Sequence, residues 1–183
     1  MTLESGAVKA LADVRVGDRV LSVNRQGEAV YSDVVYLPHG ANNHPTTYVQ
    51  IGTESGRDLK MTTNHILPTG ACALSSLPLV TASSIAVGDC VQTVSGREQV
   101  VSVSEVGGHG IYSIIAMEEL VVVNGIVATP FGGVNPTLAN TYYNLHRLAY
   151  IAWGKQLTGS GLGLVLKAVT ESFWGAVSST YAA

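Results

Sequence analysis

Charge is scarce in this chain. Its 183 residues carry 10 Lys and Arg against 13 Asp and Glu, a net charge of −3, and no basic stripe breaks the pattern. Proteins that grip nucleic acid neutralise phosphates with such a stripe, so no nucleic-acid partner is expected. Cysteine is nearly absent: Cys72 and Cys90 are the only two, and they form no zinc pattern. The histidines, His39, His44, His65, His109 and His146, stand without metal-ligand spacing, so neither a metal nor a cofactor is expected. The two thiols are expected to remain separate and buried as small hydrophobes, with pairing the alternative in a secreted protein. No apolar run reaches the roughly 18 residues a membrane span needs. Met1 to Gly6 has neither the basic start nor the apolar core of a signal peptide. A chain that begins inside a domain would not display its leader, so that absence excludes nothing.

From Val8 to Phe131 the texture is β: short Val-, Ile- and Thr-rich runs separated by Gly, Asn, Asp and Ser. Val20–Asn24 and Ala29–Val35 flank a turn at Gly27, and Tyr48–Ile51 and Asp58–Thr62 flank one at Gly56; each predicts a hairpin. Leu120–Val123 followed by Asn124-Gly125 predicts a strand ending in a strong turn. One stretch also echoes another. Ala12–Val23 lines up with Ser83–Val94, with Val16/Val87, Gly17/Gly88, Asp18/Asp89, Val20/Val91 and Val23/Val94 coinciding. Two copies without a third argue against a solenoid and for two related β subdomains about a pseudo-dyad. Asp18 and Asp89 read as turn residues rather than a site.

The texture changes after Phe131. Asn135 and Pro136 predict a helix start, as cap and first turn, and Leu138, Tyr142, Leu145, Ala149 and Ala152 fall on one face. Gly154 and Lys155 predict its end, followed by a flexible Thr158–Gly161 hinge. A second, amphipathic helix is expected over Leu164–Val177, with Leu164, Val165, Ala168, Val169, Phe173, Ala176 and Val177 on one side. Such a face packs on a core or a partner; peripheral contact with a membrane or lipid is the sharper alternative.

Three blocks carry a resemblance: Val16-Gly17-Asp18-Arg19-Val20, Leu59-Lys60-Met61-Thr62-Thr63-Asn64-His65 and Val123-Asn124-Gly125-Ile126-Val127-Ala128-Thr129. Together they resemble the Hint domain, the self-cleaving module of hedgehog C-terminal regions and inteins. The resemblance implies a mainly β, pseudo-twofold all-β horseshoe over residues 1–131 and a helical C-terminal extension, a candidate adduct-recognising region, over 132–183. It implies chemistry on the chain's own N-terminal peptide bond, an N-to-S acyl shift that converts an amide to a thioester. His65 would protonate the leaving amide nitrogen, and Thr62 would hydrogen-bond and orient the scissile peptide. The family's nucleophile is a cysteine at the first residue of the domain. Here it is expected a handful of residues before Met1, so the chain as it stands is expected to be inactive. The implied partner is the precursor's own N-terminal segment, in cis, and the implied location is the secretory pathway or beyond the cell.

Hint domains divide by how the thioester is resolved. Inteins splice, using a terminal Asn helped by a His; here Ala128-Thr129-Pro130 follows Asn124–Val127, and threonine has no side-chain amide with which to cyclise. Ser113 and Glu119 stand where inteins keep an aspartate and a histidine. In hedgehog-type domains a second nucleophile attacks the thioester, cholesterol in the animal proteins. His39 falls where those carry an aspartate base, which leaves a sterol, another alcohol or water as acceptor. His44 is a weaker competitor in the same loop, and His109 and His146 read as structural. Pro130 replaces the family's second cysteine. The rivals are a non-catalytic Hint-fold interaction module and an intein remnant.

Overall fold

Glycine-punctuated Val/Ile/Thr runs become strands wherever alternate side chains find a core to enter. In this computed structural model, which describes residues 1–39, 43–133 and 136–153, the strands are β1 (Arg19–Val23), β2 (Ala29–Tyr36), β3 (Pro45–Thr53), β4 (Asp58–Thr62), β5 (Ile66–Gly70), β6 (Leu79–Thr81), β7 (Cys90–Thr93), β8 (Gly96–His109), β9 (Ile115–Ala116), β10 (Leu120–Val123) and β11 (Ile126–Ala128). One helix follows, α1 (Pro136–Trp153). The strands join in the order β4-β3-β8-β7-β11-β10-β1-β2-β9, with β5 bridging β6 and β7. All the pairings are antiparallel. The two expected hairpins form, β1–β2 and β3–β4, and the strong turn expected after Leu120–Val123 closes a third, β10–β11. In the last, Asn124 and Gly125 both take positive φ, 51° and 81°, the backbone of a two-residue turn whose twist matches its strands.

The sequence echo is an echo in hydrogen bonds. Gly17 N–H donates to Val34 O at 2.7 Å and Gly88 N–H to Val100 O at 2.9 Å. Val34 N–H and Val100 N–H return bonds to Asp18 O and Asp89 O at 2.9 and 2.7 Å. The carboxylates of Asp18 and Asp89 each accept the backbone N–H three residues back, Arg15 at 2.8 Å and Ala86 at 2.9 Å. Both aspartates therefore close turns by capping an amide. The cores repeat as well. Val14, Val20 and Val34 sit in one cluster with Ile114 and Val121; their counterparts Ile85, Val91 and Val100 sit in another with Ile51, Leu67 and Ile126. The β10–β11 hairpin lies midway, β10 on β1 and β11 on β7, so the pseudo-dyad passes through it. The echo ends early in one respect: Val23 is buried at the end of β1, whereas Val94 is exposed because β7 already turns back into β8 there.

Cys72 and Cys90, expected as separate buried thiols, are instead joined in a disulfide across 18 residues. The reason lies in the register: β5 pairs with β7 through Gly70↔Cys90, which leaves the chain just past Gly70 within bridging distance of Cys90, Cα to Cα 4.9 Å. Arg97 adds a second clamp on the same loop, donating to the carbonyls of Cys72, Leu74 and Ser75.

A buried carboxylate on β8 ties that strand to the end of β3 and the turn that follows it. Glu98 accepts from Thr53 Oγ1 at 2.7 Å, from Ser55 Oγ, and from Arg57 Nε at 2.9 Å. Desolvation pushes its pKa up, but the donors Ser55, Arg57 and Thr53 outweigh it and hold Glu98 at about 2 against an ordinary 4.5. The native state thus binds a proton later than the unfolded chain does. This carboxylate's contribution is complete above pH 4.5 and disappears as pH falls towards about 2. Acid titration of unfolding should show stability falling by about 2–3 kcal/mol through that window on this account. Glu98→Gln should lower stability at neutral pH and flatten that limb; an unchanged limb in the variant would assign the acid sensitivity elsewhere.

The chain divides into two compact units, Met1–Gly133 and Val134–Ala183. Within the second, α1 begins at Pro136 as the sequence predicts, but its buried face is rotated. Ala139, Tyr142, Tyr143, His146 and Ala149 are buried, while Leu145 and Ala152 are exposed. Apolarity alone places Leu145 inside; Tyr142 and Tyr143, edge to face at 4.8 Å, with the His146 ring tilted against them at 5.6 and 6.0 Å, set the stripe instead. Burial lowers the pKa of His146 to about 4. The Asn135 cap, the Thr158–Gly161 hinge and the Leu164–Val177 helix lie outside the described residues.

Candidate functional site

The site grows out of a tight turn. β4 ends at Thr62, and His65 N–H closes the reversal on Thr62 O at 2.9 Å before β5 begins. The turn is then fixed from two directions. Ala82 N–H donates to His65 O at 2.7 Å and Ser83 N–H to Thr63 O at 2.9 Å. On the other side the chain leaving β11 runs antiparallel to it: Ile66 N–H donates to Phe131 O at 3.0 Å, Gly133 N–H to Asn64 O at 2.9 Å, and His65 bridges Gly132. A turn with so many backbone bonds holds its side chains with little freedom.

Those side chains face a cavity of about 320 Å³. Thr62, His65 and His39, the three residues singled out by sequence, all line it, with Leu11, Leu59 and Met61 among the apolar walls. His65 Nε2 lies 2.7 Å from the carbonyl oxygen of Thr129. Burial lowers its pKa below 6.5, opposed by that hydrogen bond, so at neutral pH the ring is uncharged and basic. Thr62 Oγ1 is 3.0 Å from Asn64 Oδ1. With its hydroxyl hydrogen given to Asn64, Thr62 presents lone pairs and accepts from an amide N–H. His39 is exposed at the cavity's rim, and its pKa is also lowered, by the partial burial of its ring. His44 does not line the cavity; its carbonyl accepts Gly110 N–H at 2.9 Å. Among the described residues, no three His, Cys, Asp or Glu side chains gather to hold a metal ion.

Sequence reasoning missed two contributors and gave a third no role. Thr129, read only as the place of an absent asparagine, presents its carbonyl to His65. Asn64 sits between the two expected residues and engages Thr62. Ser113 lines the cavity and donates to Pro130 O at 2.8 Å. Glu119, the other position compared with inteins, pairs instead with Arg25 at 2.9 Å. Asn64 had a sequence signal in its place inside the Thr-x-x-His spacing, and Ser113 in its comparison with the intein aspartate; a carbonyl contact such as that of Thr129 leaves none.

A polar turn at an apolar cavity, on a twofold-echoed β scaffold, is also what comparison with known proteins returns. Residues 1–162 match the Hint module. The chain belongs to the Hint family. That match runs past the β unit into the helical one. Protein hedgehog of Drosophila sechellia is 32% identical over 140 residues, covering 73% of this chain and 30% of that protein. Warthog protein 6 of Caenorhabditis elegans is 26% identical over 147 residues, covering 76% and 25%. The chain thus spans about a quarter to a third of the length of these relatives. Among solved structures, the DnaB intein from Synechocystis sp. PCC 6803 superposes with a TM-score of 0.57 at 17% identity, covering 70% of this chain and 91% of the intein. The gp41-1 intein does so with a TM-score of 0.53 at the same identity and coverage. The intein likeness establishes the Hint fold, and the hedgehog identity establishes kinship with hedgehog proteins.

Proposed function

We propose that this Hint domain is the autoprocessing module of a hedgehog-like precursor, cleaving the peptide bond that joins it to an N-terminal partner. The observation that carries the reading is the Thr62–His65 turn, rigidly bonded and lining an apolar cavity with His39. The 183 residues offer no free thiol, since both cysteines are in the disulfide. Neither is free to act as the nucleophile, which on this reading is the cysteine that the Hint family carries at the start of the domain.

The chemistry follows from the protonation states. An amide resists attack because nitrogen donation strengthens the C–N bond and an amide anion is a very poor leaving group. His65, neutral and basic, takes the thiol proton; the thiolate attacks the carbonyl carbon. The imidazolium so formed then returns that proton to the nitrogen as the C–N bond breaks, leaving a thioester and a free amine. Thr62 accepts from the scissile N–H and turns the nitrogen lone pair out of conjugation. His39, at the rim and neutral, removes the proton of a second nucleophile, which attacks the thioester and releases the partner. The acceptor is a sterol, another alcohol or water. The disulfide fits an oxidising compartment, which supports processing in the secretory pathway; a lipid acceptor would bring peripheral membrane contact through the residues after α1.

The direct test fuses unrelated proteins to both ends of a precursor in which a hedgehog-type, cysteine-led segment precedes Met1. The reading expects cleavage at the N-terminal junction alone. A ligated product joining the two outer proteins would make this an intein; no cleavage under any nucleophile would leave an interaction module on a Hint fold.

A further inference from the structure

We infer that Thr129 is a positioning residue that fixes which nitrogen of His65 does the work. The inference rests on the reading of His65 as the amide-activating group. A carbonyl oxygen can only accept, so the 2.7 Å contact between Thr129 O and His65 Nε2 requires the proton to be on Nε2. In the neutral ring that leaves the lone pair on Nδ1, which is then the atom that receives and returns the proton.

Thr129 holds its carbonyl in place by an unusual concentration of bonds for one residue. Its N–H donates to Ile66 O at 3.2 Å, and its hydroxyl donates to the same oxygen at 2.7 Å. The hydroxyl oxygen also accepts Phe131 N–H at 3.2 Å. The residue is 3% exposed, so each of these bonds is made out of water and each lost one leaves a buried group unsatisfied. Pro130 follows, restricting Thr129 to extended backbone, and Pro130 is itself held by Ser113. Ile66 and Phe131 flank the His65–Gly132 bridge. The hydroxyl therefore staples the two chains at the point where the imidazole meets the carbonyl. The hydrogen bond that one ring nitrogen makes decides which nitrogen of a histidine carries the proton.

Two readouts separate positioning from mere stability. In the ¹⁵N-labelled 183-residue chain, NMR should find His65 protonated at Nε2 and bare at Nδ1 at neutral pH, with an Nε2 proton slow to exchange with water. Thr129→Val keeps the shape and removes the hydroxyl; that proton should exchange roughly 10-fold faster or broaden away, while Thr129→Ser retains it. In the cysteine-led precursor, Thr129→Val should slow hydroxylamine-induced cleavage roughly 10-fold and move the acid limb of its pH profile, with Thr129→Ser near the parental rate. Parental His65 protonated at Nδ1 would overturn the inference, a result that needs no variant to fold. So would an unchanged proton and rate in Thr129→Val, or a serine variant as slow as the valine one. Failure of the underlying reading has a different signature: His65→Ala cleaving at the parental rate while the NMR arm behaves as expected.

Discussion

Replacing His65 with alanine in the cysteine-led precursor should reduce thioester formation by about 10²–10⁴-fold, the range spanned by positioned proton-transfer groups. The loss is large because one side chain serves two steps, taking the thiol proton and delivering it to nitrogen. Neither Thr62, which has no basic group, nor His39, which sits at the rim, replaces it. Hydroxylamine is the better trapping nucleophile for this measurement. Dithiothreitol also intercepts thioesters but can reduce the Cys72–Cys90 bridge, which ties the loop after β5 to β7, and would mix a change of scaffold with a change of chemistry. The rate should also fall below the lowered pKa of His65, where the ring is already charged and no longer takes a proton. A His65→Ala precursor that traps at the parental rate would remove His65 from the first step.

His39→Ala should produce a different pattern. A base that acts only on the second nucleophile leaves thioester formation untouched, so trapping by hydroxylamine, itself strongly nucleophilic, should stay within about twofold. Transfer to an alcohol acceptor should fall by about 10²-fold or more. The exposed position of His39 suits this division, since the acceptor must arrive from outside and meet the base at the rim. Equal loss of both reactions would place His39 in the scaffold or in the first step.

Much of this architecture is legible in the amino-acid order because local chemistry decides it. A glycine or asparagine that must take positive φ marks each hairpin, and the Val-Gly-Asp turns announce themselves twice because the same capping bonds are needed in each half. Thr62 and His65 are legible for a similar reason: a turn at the end of a strand displays them together. What stayed hidden depends on register and on backbone atoms. The Cys72–Cys90 bridge follows from β5 pairing with β7, two strands whose meeting no spacing rule gives. The face of α1 is only partly legible: Tyr142 and Ala149 lie on the apolar stripe and are buried, but Tyr143 and His146 are buried beside them while Leu145 is exposed. Thr129 escaped notice because its contribution to His65 is a carbonyl, which every residue carries.

Intact-mass spectrometry of the cysteine-led precursor treated with hydroxylamine reads out whether the Thr62–His65 cavity activates an upstream peptide bond towards a thioester. The N-terminal fragment should end in a hydroxamate, formed in the parent and all but absent in His65→Ala. An N-terminal fragment released only as the free acid, at a rate indifferent to hydroxylamine and to His65, would contradict that activation.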